Sequence, residues 1–169
     1  MTPATTLVAR SRTLLDSARF MTLATSGVDG AWASTVNYVA LRDPLRLVWY
    51  SMRDAAHSQN LRRTPRVSGS IFRTDLGAAS PIGLDGAQFV GTAREIPPGD
   101  AVRFRDDYYR LNFPDAAVRA QWSLPLAQFV DGGPRRFYAL AVERWWLLDV
   151  DGWLVDKEDR RVEVDAARL

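Results

Sequence analysis

From Phe20 onward the chain is a succession of short β-rich segments, most of them joined by connections too brief for helical crossovers, and this limits its fold more than any other feature. FMTLAT (residues 20–25), a mixed segment from Ala31 to Leu41, LRLVWYS (residues 45–51), Val67–Phe72, AQFVGTAREI (residues 87–96), Arg136–Leu148 and Trp153–Val155 read as strands. A last short strand follows the charged DKEDRR turn. Asp29-Gly30 can supply the positive φ angles of a hairpin turn, Asp43-Pro44 makes a second turn, and Val150-Asp151-Gly152 a third. Antiparallel neighbours need only a few linking residues, whereas parallel ones need a crossover of about a dozen or more. Seven or so mostly antiparallel strands with two or three helices therefore predict a mainly β fold, a closed or split β-barrel with peripheral helices, and not a doubly wound sheet. Closure would also remove the edges that so many apolar strands otherwise present.

Leu7, Leu14, Leu15 and Ala18 fall near helical spacing and predict an amphipathic helix over Leu7–Ser17 that lids the core. Asp54 is placed to cap a helix over Asp54–Arg63, which Pro65 ends. Asp100 is placed to cap another through Leu111, with Val102, Phe104 or Arg105, Tyr108 and Leu111 on one face. The stretch RTDLGAASPIGLDG (residues 73–86) reads as a long loop, and the chain from Leu111 to Gly133 as irregular. Neither a repeat nor a linker divides the sequence, so residues 1–169 are expected to form one domain.

Composition narrows the chemistry. The absence of cysteine removes disulfides, thiolate nucleophiles and cysteine-ligated metal sites together. A formal charge of +2, without a basic face interleaved with stacking aromatics, disfavours nucleic acid. Arg62, Arg63 and Arg66 cluster, as do Arg135 and Arg136; both groups read as solvated surface, with phosphate recognition as the alternative. Arg10 and Arg12 interrupt the apolar stretch near the N-terminus, and no apolar run is long enough to span a membrane, which favours the cytoplasm. G-x-S-x-G, the P-loop motif and G-x-G-x-x-G are all absent, so hydrolase elbows, P-loops and Rossmann sites gain no support. Asp106-Asp107 and the acids of DKEDRR diverge or lie in a turn and read as solvated.

The order helix, MTLATSGVDGAWASTVNYV, LRLVWYSMRDAAHSQNLRRTPRVSGSIF and AQFVGTAREI resembles the pyridoxamine-phosphate-oxidase-like split-barrel group over roughly Ala18 to Ile96. Its most specific part is Tyr50-Ser51, then His57, Asn60-Leu61 and Pro65-Arg66-Val67. The resemblance implies FMN as cofactor, with deazaflavin or haem as alternatives, and a homodimer whose sites both chains complete. Within it, the turn carrying Tyr50, Ser51 and Arg53 receives the cofactor phosphate, and His57 stands where the group has a basic phosphate ligand. The preceding family position is often arginine, whereas Ala56 stands here, and Arg53 could compensate. An anion at that turn would also be stabilised by the free amides and positive dipole end of the helix after Asp54.

By the same resemblance, Ser34, Thr35, Val36 and Asn37 match the strand whose backbone borders the flavin ring, and Gln88 matches a glutamine bonded to the flavin pyrimidine edge. Trp145-Trp146 lies where an aromatic of the second subunit approaches the ring; adjacent strand residues face opposite ways, and Trp146 is the favoured one. The C-terminal RRVEVDAARL lacks the Arg-x-His signature of authentic pyridoxamine-phosphate oxidases, so vitamin B6 oxidation is not expected. The expected function is a flavin-dependent oxidoreductase with a reduced nicotinamide donor and a small-molecule substrate, the alternative being a non-catalytic cofactor-binding barrel.

Overall fold

The computed structural model describes residues 4–76 and 83–169. Helix α1 (Ala4–Ser17) lays Leu7, Val8, Leu14 and Leu15 into the core. Strands β1 (Phe20–Gly27), β2 (Gly30–Asn37), β3 (Val39–Leu41) and β4 (Arg46–Met52) follow, then α2 (Ala56–Arg63), β5 (Arg66–Arg73) and β6 (Asp85–Glu95). Helices α3 (Ala101–Asn112) and α4 (Ala116–Trp122) separate β6 from the long β7 (Arg135–Leu148), after which come α5 (Val150–Asp156) and β8 (Arg161–Val164).

All pairings are antiparallel, in the order β2-β1-β5-β6-β7-β4-β3, with β8 beside the far half of β7. The two ends of that order are β2 and β3, which only Tyr38 separates in the chain. One bent segment thus pairs with β1 through its first half and with β4 through its second, and the sheet curls round to meet itself. The predicted continuous strand from Ala31 to Leu41 is therefore two strands, because the segment must serve two partners. Inside the barrel Leu23, Leu47, Trp49, Phe89, Leu140 and Trp145 form the core. A second apolar cluster, around Phe104, Tyr108, Phe129 and Phe137, lies outside the wall under α3.

Several local expectations are corrected. Asp54 does not cap α2: the helix begins at Ala56 with Ala55 at the cap and no side-chain cap bond, since Asp54 stands one residue too early. Asp100 likewise makes no cap bond. The face of α3 that packs is Ala101, Phe104, Tyr108 and Tyr109, leaving Val102 and Leu111 exposed, because the neighbouring positions continue the helical row onto the wall. Trp153–Val155 is helical, for the Asp149 carboxylate accepts from the Gly152 amide and caps α5, where a hairpin turn was expected. The stretch expected to be irregular contains α4, capped by Asp115, whose carboxylate accepts from the Val118 amide.

The first hairpin turns on Val28-Asp29, and Gly30, at φ 111°, opens β2. Arg136 is buried, not solvated; its Nε lies 3.2 Å from Glu95 Oε1 and its Nη atoms donate to the carbonyls of Asp131, Gly133 and Arg135. The long loop after Arg73 lies partly outside the described residues.

Candidate functional site

Helix α2 seals one end of the barrel against β1, turning His57, Ser58 and Leu61 inward. His57 is only 7% exposed, and its Nδ1 lies 3.0 Å from Ser34 Oγ. The Trp32 indole N–H donates to the same oxygen at 3.0 Å. Ser34 Oγ keeps both a proton and a second lone pair for His57 Nδ1, so the contact suits either tautomer: a hydroxyl donating to Nδ1 puts the ring proton on Nε2, and an Nδ1–H donating to Ser34 leaves Nε2 a lone pair. His57 Nε2 is buried and has no hydrogen-bond partner. Burial holds the His57 pKa below its ordinary value, so the free protein keeps this ring neutral near pH 7.

The start of α2 is bare. The first helical bond is donated by Gln59 to Ala55, so the amides of Ala56, His57 and Ser58 have no partner within the helix, and no side chain caps them. The Arg53 amide donates to Pro134 O at 2.9 Å, while its carbonyl accepts from Arg62 at 3.1 Å. Arg53, Asp54, Gln59 and Arg62 line a hollow of about 340 Å³ on this side. Ser51 sits half-buried on β4 opposite Arg136.

A separate groove of about 570 Å³ runs over the outer face of β1, β5, β6 and β7. Its walls include Thr22, Ser70, Gln88, Trp146 and Arg161. The register explains this: Thr35 pairs with Thr22, Thr22 with Ser70, Ser70 with Gln88 and Gln88 with Trp146, so one row of side chains crosses four adjacent pairings on one face. Trp146 points into the groove with the Arg144 guanidinium 4.6 Å from its ring centroid. Trp145 faces inward, fully buried, stacked on Phe89 and donating to Ser11 Oγ at 3.1 Å.

The remaining candidates stand elsewhere. Val36 points into the core. Asn37 donates to Arg19 O at 2.8 Å and accepts from the Tyr108 hydroxyl at 2.5 Å. Tyr50 packs edge-on against Tyr108, Phe129 and Phe137. Burial raises the neighbouring tyrosines above their ordinary range, Tyr109 up to about 12, so none is a proton donor poised for neutral pH. Among the described residues no group of three acids or histidines could hold a metal ion, and no helix is long and apolar enough to cross a membrane.

Two sets of residues thus emerge, Ser34 with His57 at the barrel end and Gln88 with Trp146 on the outer face. Three strand spacings separate β2 from β6 and four separate it from β7, about 14 and 19 Å along the curved wall. Sequence reasoning missed Trp32, Thr22, Ser70 and Arg161. Thr22 and Ser70 carried a signal, a polar residue on the outward parity of an apolar strand; Arg161 carried none, because its placement depends on β8 joining β7.

Residues 7–149 match the pyridoxamine 5'-phosphate oxidase family. The chain belongs to this family. A comparison with curated proteins gives no significant sequence match. Among solved structures, a haem-binding protein from Mycobacterium smegmatis superposes with a TM-score of 0.69 at 21% identity, covering 99% of this chain. The present chain spans only 60% of that protein's length. An FAD-binding protein from Mesorhizobium loti gives 0.57 at 18% identity, over 81% of this chain and 90% of the other. The haem-storage protein HutZ from Vibrio cholerae gives 0.58 at 15%, over 80% and 89%. These likenesses establish the split-barrel fold of the family for this chain.

Proposed function

We propose that this chain binds FMN and acts as a flavin-dependent oxidoreductase whose site a second copy completes. The observation that carries the reading is the uncapped start of α2, whose first turn includes His57 with its buried, unpartnered Nε2. An unsatisfied buried polar atom costs about 1–3 kcal/mol, and with the ring proton on Nε2 a phosphate oxygen would satisfy it together with the amides of Ala56, His57 and Ser58. Ser51 and Arg53 flank that position. The Gln88 amide, donor and acceptor both, suits the pyrimidine edge of a flavin, and Trp146 supplies an aromatic wall beside it.

Because the two sets lie about 14–19 Å apart on one chain, a single flavin is held by both most simply when His57 of one copy faces the Gln88 groove of another. Phe20 and Phe72, on the same outer face, are 57% and 60% exposed, more apolar surface than an unpartnered sheet usually shows. Bound flavin supplies hydride acceptance and release. The protein's own part is to neutralise the phosphate, orient the ring edge through Gln88 and leave one face open to a reduced nicotinamide. With the nearby tyrosines raised and His57 neutral, no side chain is needed as acid or base.

The test is an absorbance spectrum of protein reconstituted with FMN, followed by anaerobic addition of NADH or NADPH. Bleaching of the oxidised-flavin band supports the reductase; retained FMN that neither donor bleaches leaves a flavin-binding protein. Haem is the second reading, favoured by one observation: if Nδ1–H instead donates to Ser34, Nε2 offers a lone pair to iron. A haem titration that produces a sharp band, lost in His57→Ala, with no FMN retention, would replace the flavin reading.

A further inference from the structure

Beside the α2 start lies a polar groove of about 390 Å³ between that helix and the β1–β2 hairpin, of whose lining only Ala56 belongs to the proposed phosphate site. Its wall is the Trp32 ring, 52% exposed, with the indole N–H fixed on Ser34. Asp29, Asp54 and Arg63 line it, and among the described residues none of their side chains forms an ion pair or hydrogen bond. Asp54 is available because it does not cap the helix.

The groove is also held in shape. Asn60 Nδ2 donates to Thr25 Oγ1 at 3.0 Å, which donates in turn to Trp32 O at 3.4 Å, clamping hairpin to helix. At Gly27 the two elements come so close that a Cβ would stand 2.5 Å from Asn60 Oδ1. Asp54 and Gln59 line both this groove and the hollow holding Arg53 and Arg62, so the two openings meet at the same helix end.

We infer that this groove is a subsite for an adenosine nucleotide, seated beside the α2 amides that the flavin phosphate takes. The base stacks on Trp32, a contact open to any purine face. The ribose diol donates to the Asp29 or Asp54 carboxylate, and Arg63 supplies a cation for phosphate. Such a nucleotide has two sources, the second half of a flavin dinucleotide or a nicotinamide dinucleotide donor. The inference extends the flavin reading but does not need it, since the groove can be probed without flavin.

The experiment uses the full chain and AMP as probe, with calorimetric titration of the parent, Trp32→Ala, Asp29→Asn and Arg63→Ala. AMP should bind the parent at submillimolar to millimolar concentration, and each variant should weaken it by about tenfold. Asp29 and Arg63 form no hydrogen bond or ion pair with His57, so their variants report on the groove even if Trp32→Ala disturbs Ser34. FAD binding tenfold or more tighter than FMN, an advantage lost in Asp29→Asn and Arg63→Ala, assigns the groove to the flavin. Equal FAD and FMN affinities, with AMP competing against NADH, assign it to the donor. No AMP binding at 10 mM in folded parent, about a hundredfold above a 0.1 mM site, or equal AMP affinity in all four proteins, overturns the inference. Failure of FMN to bind while AMP binds sinks only the flavin reading.

Discussion

Replacing His57 by alanine separates what the ring does for the free protein from what it does for a bound phosphate. In the free protein the ring is buried, yet its Nε2 is unpaired, so truncation removes packing and an unsatisfied polar atom together. These effects oppose one another, and apo stability should shift by only about 1 kcal/mol. Ser34 and Trp32 keep their mutual bond. For FMN the variant loses one hydrogen bond to a charged group, about 1–2 kcal/mol, or roughly 5- to 30-fold in Kd.

The pH dependence has opposite signs in the two states. Burial depresses the His57 pKa, so the unfolded chain binds the proton more readily; free-protein stability is full above about 6.5 and falls as pH drops from there through the folded pKa. A phosphate draws the proton back, so FMN affinity should fall as pH rises through the bound-state pKa of His57, against the phosphate's own second ionisation near 6. Flavin-fluorescence titrations of parent and His57→Ala at pH 6 and 8, with thermal melts of both apo-proteins, read all of this. Equal FMN affinity in the two proteins, at both pH values, would refute the assignment of the phosphate to His57.

Gly69→Ala would place a Cβ 2.4 Å from Phe89 Cζ and 2.5 Å from Thr22 O, and should cost about 2–4 kcal/mol in urea unfolding; a loss under 1 kcal/mol would mean that β1 and β5 are not so close. Arg10→Ala removes the guanidinium bound to Asp85 at 2.6 and 3.2 Å and to Leu148 O at 3.1 Å, which ties α1 to β6 and β7. With both side chains about a fifth exposed, a loss of roughly 1–3 kcal/mol is expected in thermal unfolding, and an unchanged melt would deny α1 its anchoring role. Trp146→Ala should weaken both FMN binding and self-association, the latter read by sedimentation; if neither moves, the outer groove is not part of a shared site.

The fold was legible because alternation and turn residues act locally. The strands FMTLAT, LRLVWYS and AQFVGTAREI needed no knowledge of their partners, and the pattern Leu7, Leu14, Leu15 likewise located α1 and its buried face. What escaped was whatever depends on a second element. Val150-Asp151-Gly152 looks like a hairpin turn until Asp149 caps it into a helix, and Arg136 looks solvated until Glu95 from β6 meets it. The site divides in the same manner. His57 could be singled out only through the family resemblance, and its environment depends on Ser34 and Trp32 from another strand. For the tryptophan pair, strand parity says only that the two face opposite ways; which one faces out depends on the barrel, and it is Trp145 that turns inward and Trp146 outward.

The register of β7 has a bearing on synthesis. Met52 pairs with Arg135 and Leu47 with Leu140, so β4 leaves the ribosome long before the strand that will cover its edge. During that interval β2, β1, β5 and β6 can already pair, since each finds its neighbour among residues made earlier. The nascent chain therefore waits as a half-pipe with two bare edges, β6 and β4, and only the late arrival of β7 between them seals it. Such non-local closure folds slowly and exposes unpaired strands to other chains. Truncations ending before Arg135 should consequently aggregate, whereas those that retain β7 but lack the residues after Leu148 should stay dispersed.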